Sequence, residues 1–289
     1  MTTKNKIVFI LLFIFISGYA AADLPVMQTG ADIDYAPFSF YQNNVPAGFD
    51  IQFFYLLAER MDRKPVYFLN KWHKILDRAR SGELDVILGA VYSQEREEYL
   101  HFSVPYNTIK LALVVPKESN LQYPEDLWNK EMAVLENDVV PWIFLERNSI
   151  PVSAASYPTM SEALRHLKSG AHDFAIIPEP YIDRYKNRRE FRGLRIANDN
   201  LSTLTYRIGL TEDNKELLHE MNMHIRSLIN SKKYEILRER WLFSGEGTGT
   251  ADRNLHKWPV LLLSIISGLL LIGFFLFHFA VRKNYTTSL

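Results

Sequence analysis

The chain has 289 residues, with 33 basic against 33 acidic side chains, 47% hydrophobic residues and no cysteine. A zero net charge with no basic block, no zinc-ligand spacing and no glycine-rich phosphate loop excludes the usual signatures of nucleic-acid, structural-metal and nucleotide binding. Without a thiol there is neither a disulfide nor a lipid-modifiable cysteine, so an oxidising compartment costs the protein nothing.

The first segment reads MTTKNKIVFILLFIFISGYAAADLP. Lys4 and Lys6 precede an apolar run from Ile7 to Ile16, and the small residues Ala20, Ala21 and Ala22 come just before Asp23. This is the plan of a secretory signal peptide over 1–22, with cleavage expected after Ala22. The alternative, an uncleaved anchor, needs a longer apolar run than this one.

Helices and strands then alternate. FDIQFFYLLAERM (49–61) has helical apolar spacing, KPVYFL (64–69) predicts a strand, and WHKILDRARSG (72–82) a short helix closed by Gly82. LDVILGAV (84–91) is a continuous apolar run of the kind found in buried parallel strands. KLALVVPK (110–117) and MAVLEND (132–138) predict further strands. PTMSEALRHLKSG (158–170) predicts a helix opened by Thr159 and Glu162 at capping-box spacing and ended by Gly170. DFAIIPE (173–179) is another buried strand, and 214–243 predicts two helices broken near Asn230 and Ser231. This order implies an α/β fold with parallel sheets, and ligands of such sheets bind beyond the carboxyl ends of strands. The loops after Val91, Asp138 and Ile177 are therefore the places to look. ARSGELDVILGA and LKSGAHDFAIIPE also echo one another, as two lobes built on one plan would.

SGEGTGTADRN (244–254) is small and polar and predicts a linker, taken as 244–258. From Val260 to Val281 there is no Asp, Glu, Lys or Arg. As a helix this run measures about 33 Å, enough to cross a bilayer core. A single transmembrane helix is expected over 259–281, with Trp258 as an interfacial anchor. Arg282 and Lys283 begin a short cytoplasmic tail, 282–289. Such a tail is too small for a folded output domain.

Several of these pieces together carry a family pattern: YAPFSF (35–40), AGFDIQFFYLLAERM (47–61), Trp72, SGELDVILGAVYSQEREEYLHFSVPY (81–106), SGAHDFAIIPEP (169–180), and the closing MNMHI and YEILRERWLF. In this order they resemble the type II periplasmic solute-binding proteins of family 3, the polar amino acid branch. The resemblance covers nearly all of 23–243. It implies an α/β, two-lobed fold with hinge strands and a ligand cleft that closes. Lobe 1 would span about 24–110 and 200–243, and lobe 2 about 111–199.

The same resemblance implies roles for residues. Arg96 would hold a ligand carboxylate, for which a planar guanidinium fork is suited. Tyr35 and Trp72 would line the cleft, with Asp32, Gly89 and Val91 beside them. Other readings remain open: Tyr35 as core, Trp72 as a lobe-surface plug, and Arg96 paired with Glu95, Glu97 or Glu98 on a solvated helix start. His73 and His101 lack metal spacing and are expected at the surface. No metal, cofactor or catalytic residue is expected.

The chain also departs from the family pattern. Val91 stands where a Ser or Thr hydroxyl is usual, Pro178 where an aspartate meets the ligand ammonium, and ENDVV (136–140) where a Gly-Ser/Thr loop offers amides. Glu179 is a possible substitute for that aspartate, although adjacent strand residues face opposite ways. Asp138 either caps the following helix or faces the cleft and favours a cation. The expectation is a small carboxylate-bearing solute, amino acid-like or an organic acid. It would be bound in the periplasm by a protein anchored in the inner membrane, which signals or delivers it to a membrane-protein partner, a signalling protein or a permease. The binding component of an ABC-type amino acid importer is the alternative, and a dehydratase-like enzyme on the same fold a further one.

Overall fold

Short apolar strands broken by glycine- and asparagine-bearing turns build the chain from Val26 onward. The structure, a computed structural model, describes residues 24–185, 188–211 and 215–243. The expected signal peptide, linker, membrane helix and tail lie outside the described residues. Among the described residues no helix is long and apolar enough to cross a membrane.

The elements run β1 (Val26–Asp32), β2 (Asp34–Tyr35), β3 (Ser39–Gln42), β4 (Val45–Ala47), α1 (Phe49–Arg60), β5 (Lys64–Asn70), α2 (Trp72–Arg80), β6 (Val86–Ala90), α3 (Gln94–Glu97) and β7 (Leu100–Phe102). There follow β8 (Asn107–Pro116), β9 (Glu131–Leu135), α4 (Val140–Arg147), β10 (Ser153–Tyr157), α5 (Met160–Lys168), β11 (Ala175–Pro178), α6 (Glu179–Tyr185), β12 (Leu194–Thr211), α7 (Lys215–Ile229) and α8 (Lys232–Arg238). A π-helical turn, Glu239–Phe243, ends the described chain.

Two lobes share one pair of long strands. In the first lobe β1 lies parallel to both β5 and β6, and β12 runs antiparallel to β6 and β7. In the second, β9 and β10 are parallel, β11 is antiparallel to β8, and a bridge from Met132 to Phe174 joins the two pairs. β8 and β12 pair antiparallel from Asn107↔Tyr206 to Pro116↔Leu194, so the chain crosses between lobes once in each direction. The sheets are therefore mixed rather than parallel throughout. The returning strand must run against the outgoing one, which a local apolar pattern cannot reveal.

The core follows from the sequence pattern. Phe49, Phe53, Phe54, Leu57 and Ala58 fall on one face of α1 and are buried. Leu111 to Val115 of β8 are fully buried, as a strand covered on both faces should be. The echoed segments also take the same form: α2, Gly82 with φ +73°, β6; and α5, Gly170 with φ +81°, β11. Gly48 has a different purpose. At φ +123° it lets the chain pass so close to Phe38 that a Cβ would meet the Phe38 carbonyl oxygen at 2.2 Å. That close passage puts Asp50, two residues on, at the start of α1, where its amide donates to Phe38 O at 2.9 Å.

Candidate ligand cleft

Arg96 is fixed by a short local motif. Ser93 caps α3 by accepting from the Arg96 amide at 3.3 Å, and Arg96 is buried, with the residue only 3% exposed. Its Nη1 donates to Val91 O at 2.9 Å and its Nη2 to Asn137 O at 2.8 Å. The guanidinium carbon lies 5.4 Å from the centre of the Trp72 ring, within cation–π range. The solvated-helix reading of Arg96 is thus overturned: it reaches backbone carbonyls of both lobes, not its glutamate neighbours.

Around it the carboxyl ends of β1, β6 and β9 supply an interlobe cavity of ≈ 20 Å³, about the room one water needs. Asp32, Tyr35, Trp72, Gly89, Val91, Arg96 and Asp138 all line it, joined by Ser39, Asp50, Leu88, Leu135 and Val140. An adjoining outer compartment of ≈ 270 Å³ shares Arg96, Leu135 and Asp138 and is completed by residues including Leu76, Glu95, Trp142 and Ser156. Glu179 is not brought to the cleft. It opens α6 and lines a separate cavity with Lys110, Asp183 and Arg238, because β11 ends one residue earlier and the chain turns away into the helix.

Three acidic side chains, Asp32, Asp50 and Asp138, line the cavity with this one guanidinium. Asp32 accepts from the Asp34 amide at 2.8 Å, yet burial pushes its carboxyl up to about 7. Asp50, also raised to about 7 by burial, takes a hydrogen bond from the Tyr106 hydroxyl, which itself accepts from the Gly89 amide at 3.0 Å. Gly89 has φ +67°, and a Cβ there would sit 3.0 Å from Asp50 Oδ2. Asp138 accepts from the Val140 amide at 2.9 Å through Oδ1, while its Oδ2 is buried without a partner. Burial raises Asp138 to about 6 against the opposing pull of that amide and of Arg96. Burial also lowers Arg96 from the usual arginine value.

Direct bonds hold the lobes together. Asp34 Oδ1 accepts from Ser161 Oγ at 2.9 Å, and its Oδ2 accepts from the Ser161 amide at 3.0 Å, in the first turn of α5. His73 Nδ1 lies 3.1 Å from Glu136 Oε2, so this histidine is an interlobe contact rather than the expected surface residue. The Tyr35 and Tyr206 hydroxyls are 2.8 Å apart, which ties the cleft floor to the hinge strand. Sequence reasoning missed Asp50 as a cleft residue and Asp34 and His73 as contacts between the lobes. Asp50 lay inside the AGFD motif and read only as a helix start. No local signal marks the other two, since their partners are 127 and 63 positions away (161 − 34 and 136 − 73). Among the described residues no cluster could hold a metal ion.

Two α/β lobes on a pair of antiparallel hinge strands, with a buried arginine and acidic side chains between them, define a solute-binding protein. The chain belongs to the bacterial extracellular solute-binding proteins, family 3, whose family model matches residues 27–244. It is 24% identical over 228 residues to the arginine-binding extracellular protein ArtP of Bacillus subtilis (strain 168), covering 75% of this chain and 86% of that one. It is likewise 24% identical over 263 residues to the virulence sensor protein BvgS of Bordetella pertussis, covering 89% of this chain but 21% of that protein. A histidine kinase sensor domain with similarity to periplasmic binding proteins shares the fold, with a TM-score of 0.68, 24% identity, and coverage of 75% of this chain and 96% of that one.

Proposed function

We propose that the folded body, 23–243, is a periplasmic receptor for a small amino acid-like solute or organic acid, held between lobe 1 (about 24–110 and 200–243) and lobe 2 (about 111–199). Arg96, Asp32, Tyr35, Trp72, Gly89, Val91 and Asp138 form its site. The observation that carries this reading is Arg96 itself, a buried guanidinium that lines the interlobe cavity and is bonded to a carbonyl in each lobe. Entry of a solute larger than water requires the lobes to separate, and reclosure around it converts binding into a change of shape.

The leader over 1–22 and the apolar stretch over 259–281 support export and anchoring in the inner membrane. The linker, 244–258, would pass the motion on, and the tail, 282–289, would lie inside. A membrane-bound signalling protein is the partner this arrangement suits. Delivery to an ABC-type importer is the second reading, favoured by likeness to binding proteins such as the arginine-binding one.

The test is thermal melting of the purified full chain against the common amino acids and small organic acids. A true ligand raises the melting temperature with concentration. A panel without any such response sinks the receptor reading. Crosslinking in intact membranes then separates a permease from a signalling protein.

A further inference from the structure

The reading of the cleft as a solute site leaves open which part of the solute matters most. Arg96 is the one basic residue among the described residues that line the inner cavity, and Asp32, Asp50 and Asp138 line it as well. Its two terminal nitrogens are bonded to the carbonyls of Val91 and Asn137, not to any of those carboxylates. The cavity is therefore richer in acid than in base, and its cation is already partly engaged.

Asp138 is the carboxylate with capacity to spare. One oxygen accepts from the Val140 amide, and the other is buried with no partner among the described residues. A buried carboxylate oxygen without a donor is costly, and a ligand that supplies the donor relieves that cost. Asp138 also lines both the inner cavity and the outer compartment of ≈ 270 Å³. A group held by Asp138 can thus carry a substituent outward between Leu76 and Trp142. An anion placed there would meet the Asp138 carboxylate, and the cavity's one guanidinium is already bonded to two carbonyls. An ammonium brings three N–H donors and a compensating charge.

We propose that the cleft selects its solute through a positively charged amine, that Asp138 holds this amine, and that any ligand carboxylate is secondary. The solute class is then a primary amine, with or without an acid group, and simple organic acids are excluded.

Matched probes test this on the full chain by calorimetry and thermal melting: L-alanine with ethylamine and propionate, L-leucine with isoamylamine and 4-methylpentanoate, and L-arginine with agmatine and 5-guanidinopentanoate. At least one set is expected to bind as amino acid and as amine, with the acid lacking the α-amino group weaker by tenfold or more. Asp138→Asn keeps an oxygen for the Val140 amide and is expected to fold normally, yet to lose amine affinity at least tenfold. Asp138→Glu keeps the charge and is expected to retain part of it. The proposal is overturned if the α-deaminated acid of a binding set matches its amino acid while the amine fails, or if Asp138→Asn binds the amine like wild type. Failure of all nine probes and of every amino acid in the panel overturns it together with the receptor reading. Failure of the amines alone overturns the proposal and leaves that reading intact.

Discussion

Arg96 Nη2 donates to Asn137 O at 2.8 Å, a bond between two lobes whose partners stand 41 residues apart. With Nη1 on Val91 O, one guanidinium binds the end of β6 in the first lobe to the loop after β9 in the second. The arginine thus holds the two lobes together as well as lining the cavity between them.

Arg96→Ala should harm both. It leaves two carbonyl acceptors without a donor at a buried place, at a cost of about 1–3 kcal/mol. The variant is expected to melt several degrees lower and to bind solute at least tenfold more weakly. Arg96→Lys should rescue little, because one ammonium on a flexible stem cannot reproduce the planar fork. Calorimetry beside a melting curve checks both. A lysine variant that binds as wild type would remove the clamp from the account.

Asp34 holds the N-terminal turn of α5 with both carboxylate oxygens. Asp34→Ala removes two hydrogen bonds to an ionised acceptor across the cleft, about 1.5–3 kcal/mol for each in a well-ordered site and less where solvent reaches. The expected outcome is a shift toward open lobes, seen as a larger radius of gyration in solution scattering without added solute. An unchanged scattering curve would show that the bonds follow closure rather than maintain it.

Asp32 and Asp50 both carry folded-state values of about 7 against 3.8 for the free group. A raised value means that the folded state binds the proton more tightly than the unfolded chain. The stability this gives is fully present below pH 4 and is lost as pH rises through 7. The individual loss is on the order of a few kcal/mol. Asp50→Asn, which keeps an acceptor for the Tyr106 hydroxyl, should flatten the decline between pH 5 and 8 and melt higher than wild type at pH 8. Melting curves at a series of pH values decide it.

Gly48→Ala is expected to be severe. An alanine at φ +123° is strained, and its Cβ would lie 2.2 Å from a backbone oxygen that cannot move aside cheaply. A loss of about 3 kcal/mol or more is expected, read by denaturant unfolding. Gly82→Ala, where a Cβ meets nothing within 4 Å, should cost only its positive φ, about 1 kcal/mol.

Much of this was legible locally. Helices α2 and α5 ended at their glycines as their sequences indicated. Thr159 caps α5 by accepting from the Glu162 amide, and the break between α7 and α8 falls at Asn230 and Ser231. The address of Arg96, just past a buried strand, was visible too. Glu179 was misplaced because a one-residue difference in where β11 stops decides which way its side chain faces.

By itself the sequence determined the elements, their caps and the family pattern, since helix periodicity, turn residues and capping spacing act within a few positions. Only the tertiary structure decided that the hinge strands run antiparallel, that Asp34 meets Ser161, that His73 meets Glu136, and that three aspartates share one cavity with a single guanidinium. These depend on contacts between segments far apart in the chain. Burial then sets the charges: a carboxylate is acidic by its chemistry, but the loss of water around Asp32, Asp50 and Asp138 moves their titration toward neutral pH.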